Sequence, residues 1–202
     1  RAPQGNWLCK PLQGGGGVGI ARAVPGQRLP EGCCFQEELP GQSASLSFLA
    51  DGAKIMPLGF THQLIGDAAF HAPPFHYAGN IVAAIPEPAR AQALDMAQYL
   101  TQSYRLRGLN CLDFLLLPDN SACFLELNPR PGAGAELFAS QDPFLLHMAA
   151  CEGALLPPGP APATVQGKAI LYAAQDTPMP NNTPRWYDAG VRDVPQPSTR
   201  IR

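Results

Sequence analysis

Charge is scarce in this chain. Only 15% of its 202 residues are Asp, Glu, Lys or Arg, against about 25% in a typical domain. Fourteen basic and sixteen acidic residues leave a net charge of −2. No basic excess is there to hold a phosphate backbone, which argues against nucleic acid as a partner. No apolar stretch approaches the roughly 20 residues of a bilayer span, which argues against a membrane. The six cysteines, Cys9, Cys33, Cys34, Cys111, Cys123 and Cys151, include no C-x-x-C pair. A structural zinc site therefore has no ligand spacing to rest on. A disulfide scaffold is not expected either, because a chain of this size buries a core of its own. Most of the cysteines lie in apolar runs and read as buried thiols of a reducing, cytoplasmic compartment. The chain begins at Arg1 with no leader pattern, and it reads as a piece of a longer polypeptide.

Glycine (20) and proline (23) are abundant. Apolar, strand-like runs lie between these breakers, so the composition does not signal disorder. Strands are expected over residues 6–12, 33–39, 45–50 and 54–61, the last two joined at Asp51-Gly52, a strong hairpin signal. Residues 66–79 read as an ordered loop. Residues 88–105 read as a helix with Pro88 at its start, Ala93, Ala97, Leu100 and Tyr104 on one face, and Gly108 as its stop. A strand pair is expected at 110–117 and 122–127, a second helix at 143–151, a proline-rich connection at 157–163 and a strand at 165–173, with turns beyond. Strands outnumber helices and hairpins dominate, which gives an α+β class.

Two features carry chemistry. The first is the glycine run. Gly14-x-Gly16-x-x-Gly19 matches the dinucleotide fingerprint literally, but Pro25, Gly26, Pro30 and Gly32 leave no room for the helix that fingerprint needs. No Lys-Ser or Lys-Thr follows, so a P-loop fails as well. Two readings remain: a flexible linker, or a strand–loop–strand flap. In the flap, unobstructed backbone N–H groups and Lys10 converge on phosphates.

The second feature is a carboxylate pair. Asp113 and Glu126 each stand in an apolar run on neighbouring strands of one expected hairpin. A buried carboxylate needs a partner. Asn128 shares a face with Glu126, since side chains alternate along a strand. Three oxygen donors suit Mg²⁺ that also holds nucleotide phosphates. Structural carboxylates satisfied by Arg or backbone are the other reading. Arg130, stiffened by Pro129 and Pro131, either presents its fork to a phosphate or carboxylate or is a solvated loop arginine.

Four signatures now stand in order: Lys10-Pro11 with the glycines; Gln36-Glu37-Glu38-Leu39-Pro40-Gly41; Asn110-Cys111-Leu112-Asp113; and Leu125-Glu126-Leu127-Asn128-Pro129-Arg130-Pro131-Gly132. Over about residues 7–138 the chain resembles the ATP-grasp superfamily of carboxylate–amine or carboxylate–thiol ligases. The resemblance implies two α+β subdomains that sandwich ATP. Residues 1–42 would form part of the small one, and 43–202 the large one with a C-terminal extension. On this resemblance the N-terminal substrate domain of full-length relatives is expected to be missing from the sequence. It implies that Lys10 meets the α/β-phosphates and that Gly14, Gly15, Gly16 and Gly17 close over the triphosphate. The strand carrying Gln36, Glu37, Glu38 and Leu39 would bind adenine, with Ser43 or Ser45 beside the ribose. Asp113, Glu126 and Asn128 would hold Mg²⁺, with Mn²⁺ as a substitute, and Arg130 would steady the transferring phosphoryl or acyl phosphate, so Lys10 and Arg130 are the catalytic candidates.

The implied reaction joins a small-molecule carboxylate to an amine through an acyl phosphate. A non-catalytic nucleotide-binding module and an ATP-grasp kinase are the alternatives, and a homo-oligomer is left open. Tyr77-Ala78-Gly79-Asn80, residues 167–173 and Arg192-Asp193-Val194-Pro195 resemble a branch linked to glutamate ligation in methanofuran- or tetrahydromethanopterin-type cofactor synthesis. On that resemblance His76 and Asn80 fall near the acceptor. His62, His71, His76 and His147 form no catalytic triad pattern.

Overall fold

The computed structural model describes residues 1–2, 4–160, 164–178 and 200–201. Three strands, β1 (Trp7–Pro11), β2 (Ala21–Arg22) and β3 (Cys33–Glu37), form a small antiparallel sheet in the order β2-β1-β3. A six-stranded antiparallel sheet follows in the order β8-β7-β4-β5-β6-β9. It comprises β4 (Gln42–Asp51), β5 (Ile55–Ile65), β6 (Tyr77–Val82), β7 (Arg107–Leu116), β8 (Ala122–Asn128) and β9 (Gly167–Ala169). Short β10 (Thr177–Pro178) pairs with β11 (Arg200–Ile201). Two helices, α1 (Ala89–Tyr104) and α2 (Pro143–Cys151), and 3₁₀ turns at Ala68–Phe70 and Ala135–Gln141 complete the described chain. The α+β class read from the sequence is the class observed.

The β4–β5 hairpin turns where Asp51-Gly52 predicts. Asp51 Oδ1 accepts from the backbone N–H groups of Ala53 (2.8 Å) and Lys54 (2.7 Å), and Gly52 takes φ +99°. These bonds hold the Asp51 carboxyl below its usual range.

The two faces of the large sheet have different fates. Ala44, Leu46, Phe48, Phe60, Leu112 and Phe114 face α1 and form the main core. The opposite face is covered at one end by Phe138, Leu146 and Ala150, which pack on Leu49, Leu58 and Leu109. Its other end is polar and becomes the floor of the site. The small sheet and the glycine loop roof it.

Several expectations need correction. The buried stripe of α1 is Ala89, Ala93, Ala97 and Thr101, while Tyr104 is 69% exposed. Small side chains let the helix lie close on the sheet, and the stripe starts one turn earlier than read. The helix stops at Arg105, in left-handed conformation (φ 54°), whose N–H caps the Thr101 carbonyl. Gly108 belongs instead to β7, where a Cβ would meet His147 Nδ1 at 2.6 Å.

The stretch read as loop to residue 79 already enters β6 at Tyr77. Ala78 and Gly79 have weak strand propensity, but a Cβ on Gly79 would fall 2.1 Å from the Lys168 carbonyl oxygen, so close strand approach requires glycine there. Only Gly167–Ala169 of the expected 165–173 strand pairs, as an edge. All six thiols are free, but only Cys9 and Cys111 are buried, and Cys151 is exposed. Residues 161–163 of the proline-rich connection and the Arg192-Asp193-Val194-Pro195 motif lie outside the described residues.

Candidate functional site

A cavity of about 440 Å³ lies between the small sheet and the polar floor of the large one. That is within the usual range for a ligand pocket. Every residue named above as a nucleotide, metal or catalytic candidate lines it: Lys10, the four glycines, the Gln36 to Leu39 connection, Ser43, Ser45, Asp113, Glu126, Asn128 and Arg130.

The carboxylates come together through strand register. Asp113 on β7 is the antiparallel partner of Glu126 on β8, and Cys111 partners Asn128. A bulge intervenes between Asp113 and Phe114, because Phe124 pairs with Phe114 and Leu125 has no opposite residue. The extra residue lets Phe124 keep to the α1 core while Glu126 turns to the site. Bulges recur beside functional sites because they re-aim side chains in this way.

Asn128 Nδ2 donates to Asp113 Oδ2 (3.1 Å) and to Glu126 Oε1 (3.2 Å). Arg130 donates through Nη2 to Asn128 Oδ1 (3.1 Å) and through Nη1 to the Pro131 carbonyl (3.2 Å). Lys10 Nζ stands 3.7 Å from Glu126 Oε2 and joins roof to floor.

The two acids differ in environment. Burial pushes the Asp113 carboxyl up to about 6. The nearby Glu126 charge pushes the same way, while hydrogen bonds from Cys111 Sγ (3.5 Å) and Gln63 Nε2 (2.9 Å) favour the ionised form. Glu126 does not match the buried acid expected from its apolar run: its side chain is 50% exposed. β8 is the edge strand, so one flank of Glu126 is open.

The site thus offers two carboxylates and one amide. Among the described residues no cluster of three His, Cys, Asp or Glu side chains forms. Asn128 turns its Nδ2 toward the acids and its Oδ1 toward Arg130, so it becomes a third oxygen ligand only if its amide flips. An all-oxygen set with a desolvated, under-compensated acid fits a hard divalent cation such as Mg²⁺. The Asn128 N–H now bridging the acids does weakly what such a cation does strongly.

On the roof, the glycine run divides. A Cβ on Gly14, Gly15 or Gly16 would meet nothing within 4 Å, whereas one on Gly17 (φ +82°) would fall 1.8 Å from the Phe75 carbonyl oxygen. The Gly16 carbonyl accepts from the Tyr77 N–H at 3.0 Å. The run is therefore docked on the large sheet, which disfavours the linker reading. At the hinge, Gln36 and Glu37 pair with Leu8 and Trp7, and the Glu38 N–H donates to the Asn6 carbonyl at 2.9 Å. The Glu38 carboxylate is forked by Arg22 (2.8–3.1 Å), which holds it below its usual range.

Ser45 lies opposite Asp113 in register, and its hydroxyl is bonded to that of Thr61 at 2.8 Å. Thr61 Oγ1 also accepts from Asn80 Nδ2 at 2.7 Å, and Asn80 Oδ1 accepts from the Tyr77 hydroxyl. Asn80 is 1% exposed yet lines the cavity. Burial raises the Tyr77 phenol, with Glu136, Cys111 and Asp113 adding to the effect, so it stays a donor. His76 donates from Nδ1 to the Pro74 carbonyl (3.1 Å) and meets the Tyr172 ring edge-on, in keeping with a structural loop histidine.

Sequence reading missed Gln63, Thr61 and Cys111. Their only signal was the two-residue alternation of β5 and β7, which does not reveal what stands across the sheet.

A family profile described as the ATP-grasp domain matches residues 1–134, more than half of the chain. The chain belongs to the ATP-grasp family. Solved structures share the fold at low identity. An L-amino acid ligase from Bacillus licheniformis is 14% identical, with all of this chain and 55% of the other covered, at a TM-score of 0.70. The N5-carboxyaminoimidazole ribonucleotide synthetase from Thermus thermophilus is 14% identical, with 97% and 55% covered, at 0.68. A biotin carboxylase from Campylobacter jejuni is 15% identical, with 75% and 38% covered, at 0.61. The chain spans about half or less of the length of these neighbours. No match to a functionally curated protein was found. Among the described residues, no helix is long and apolar enough to cross a membrane.

Proposed function

We propose that this chain is the nucleotide-binding core of an ATP-dependent ligase that joins a small-molecule carboxylate to an amine. The observation that carries the reading is the Asp113–Glu126 cross-strand pair, bridged by Asn128 and set below Lys10 and the docked glycine loop. In this reading the β1–β3 sheet is the small subdomain, and the chain from β4 onward is the large one.

Lys10 takes a negative phosphate oxygen in exchange for its long ion pair with Glu126. The glycine loop supplies backbone N–H groups, and the Gln36 to Leu39 connection takes the adenine edge. Ser43 and Ser45 are the candidates nearest the ribose. Asp113 and Glu126, with Asn128 once its amide oxygen is turned inward, would hold Mg²⁺, which would neutralise phosphate charge. Arg130, held between two prolines, sits where charge develops as the γ-phosphoryl moves to the substrate carboxylate. Amine attack on the acyl phosphate then forms the amide and releases phosphate. The catalytic contribution is positioning and electrostatics, and no protein nucleophile is required.

The biotin carboxylase neighbour is described as a complex with β,γ-ATP, which supports a nucleotide in the matching cleft. A finer reading, glutamate ligation for a one-carbon-carrier cofactor, rests on the resemblance at Tyr77 to Asn80 and at 167–173 alone. The test is ADP release with Mg-ATP across amino acids and small amines, glutamate with tyramine included, followed by product mass. An amide with ADP and phosphate supports the ligase. A phosphate ester identifies a kinase, and binding with no turnover identifies a nucleotide-binding module.

A further inference from the structure

The flap, the hinge and the large sheet meet at one side chain, Arg22. It lies on β2, just after the glycine loop, and its guanidinium makes three hydrogen bonds to Glu38 at the hinge: Nε to Oε2 at 2.9 Å and to Oε1 at 3.1 Å, and Nη2 to Oε1 at 2.8 Å. The same guanidinium carbon lies 5.7 Å from the centre of the Phe75 ring, within the range of a cation–π contact. Phe75 belongs to the turn before β6, on the large sheet's side of the cavity. Its own backbone is left-handed (φ 65°), unusual for an aromatic residue. That conformation turns its carbonyl oxygen to the spot a Gly17 Cβ would occupy. Two residues later the Tyr77 N–H donates to the Gly16 carbonyl (3.0 Å).

We propose that the Phe75–Tyr77 turn is the dock of the glycine loop, and that Arg22 is the positioning residue that fixes the docked position by tying the hinge carboxylate to the Phe75 ring. The role rests on the nucleotide-binding reading only for its purpose. The dock itself is a contact between two parts of the chain. Its consequence is order: the backbone N–H groups of Gly14, Gly15 and Gly16 are held over the cavity in one arrangement, and less entropy is lost when they bind an anion. Gly16, through its carbonyl, and Gly17, by its close approach to Phe75, contact the dock, while Gly14 and Gly15 are free to face a ligand.

The test is amide hydrogen exchange over residues 13–18 of the intact chain without nucleotide, paired with the Kd of Mg-AMPPNP. The variants are Arg22→Gln, Phe75→Leu, their double mutant and Phe75→Tyr. Arg22 is 74% exposed, so its replacement leaves the fold intact. Arg22→Gln and Phe75→Leu should each speed exchange in the loop by about 2–5-fold, the effect of losing one exposed cation–π contact. The double mutant should add little to either, and Phe75→Tyr, which keeps the ring, should match the parent. AMPPNP should weaken in step with exchange. Unchanged loop exchange, or fully additive single effects, would overturn the dock. Failure of the parent protein to bind AMPPNP would instead count against the nucleotide reading and leave the exchange result to decide the dock.

Discussion

Asp113 and Glu126 stand directly opposite each other on β7 and β8, and one amide nitrogen, Asn128 Nδ2, reaches both of them at 3.1 and 3.2 Å. The direct donors to the pair are neutral, since Gln63 Nε2 and Cys111 Sγ add only to Asp113, and this leaves it short of positive charge. Among the described residues Lys10 stands 3.7 Å from Glu126, and Arg130 favours the ionised Asp113 without bonding to it. The following expectations come from that shortage and from the packing around it.

Asp113→Asn should stabilise the unliganded protein, by about 1–3 kcal/mol, because it removes a carboxylate that burial disfavours. The same change should abolish stabilisation by Mg-ATP. Chemical denaturation with and without Mg-ATP measures both effects. A destabilised variant that still responds to Mg-ATP contradicts the assignment.

The pH dependence has a definite sign. Asp113 titrates at about 6 in the folded chain against a reference of 3.8. Between these values the folded state holds more protons than the unfolded one, so this group's contribution falls as pH rises. The difference is at most about 3 kcal/mol. Cation binding favours the ionised acid and cancels the loss. Mg-ATP should therefore stabilise the protein more at pH 7.5 than at pH 5, and Asp113→Asn should flatten the pH profile of the unliganded protein.

The glycines should separate by substitution. Gly15→Ala meets open space and should change stability by less than about 0.5 kcal/mol. Gly17→Ala places a methyl on the Phe75 carbonyl at a left-handed backbone position and should undock the loop. Isothermal titration should find Mg-AMPPNP affinity reduced about tenfold or more for Gly17→Ala, on the order of 1.4 kcal/mol.

Ala93 and Ala97 are fully buried where α1 rests on the sheet. Ala97→Leu should overpack this contact and cost about 1–3 kcal/mol in urea denaturation, with the nucleotide response retained by the folded fraction.

Much of this architecture was legible in the sequence for local reasons. Asp51-Gly52 specifies its own turn, and the strands holding Asp113, Glu126 and Asn128 follow from alternating apolar runs. The misread elements depend on distant neighbours. Gly79 looks like loop until the Lys168 carbonyl is seen pressed against it, and Tyr104 looks like core until Ala89 is found to start the buried stripe. The exposure of Glu126 depends on β8 being an edge, which sheet order decides. The Gln63–Asp113 bond joins strands 50 residues apart, so no local pattern encodes it, and the bulge at Leu125, though inside one hairpin, is set by what the two sheet faces bury. The split of the glycine run at Gly17 depends on the Phe75 carbonyl for the same reason.

The central claim, that this cleft is a magnesium–nucleotide site built on Asp113, is tested most directly by the thermal shift of the intact chain with Mg-ATP beside the same measurement on Asp113→Asn. At a hundredfold excess over Kd the gain is about 2.7 kcal/mol. For a chain of this length that is a rise of roughly 5–10 °C in Tm. The account predicts that rise for the parent and none for Asp113→Asn. No shift in the parent, or an equal shift in both, contradicts it.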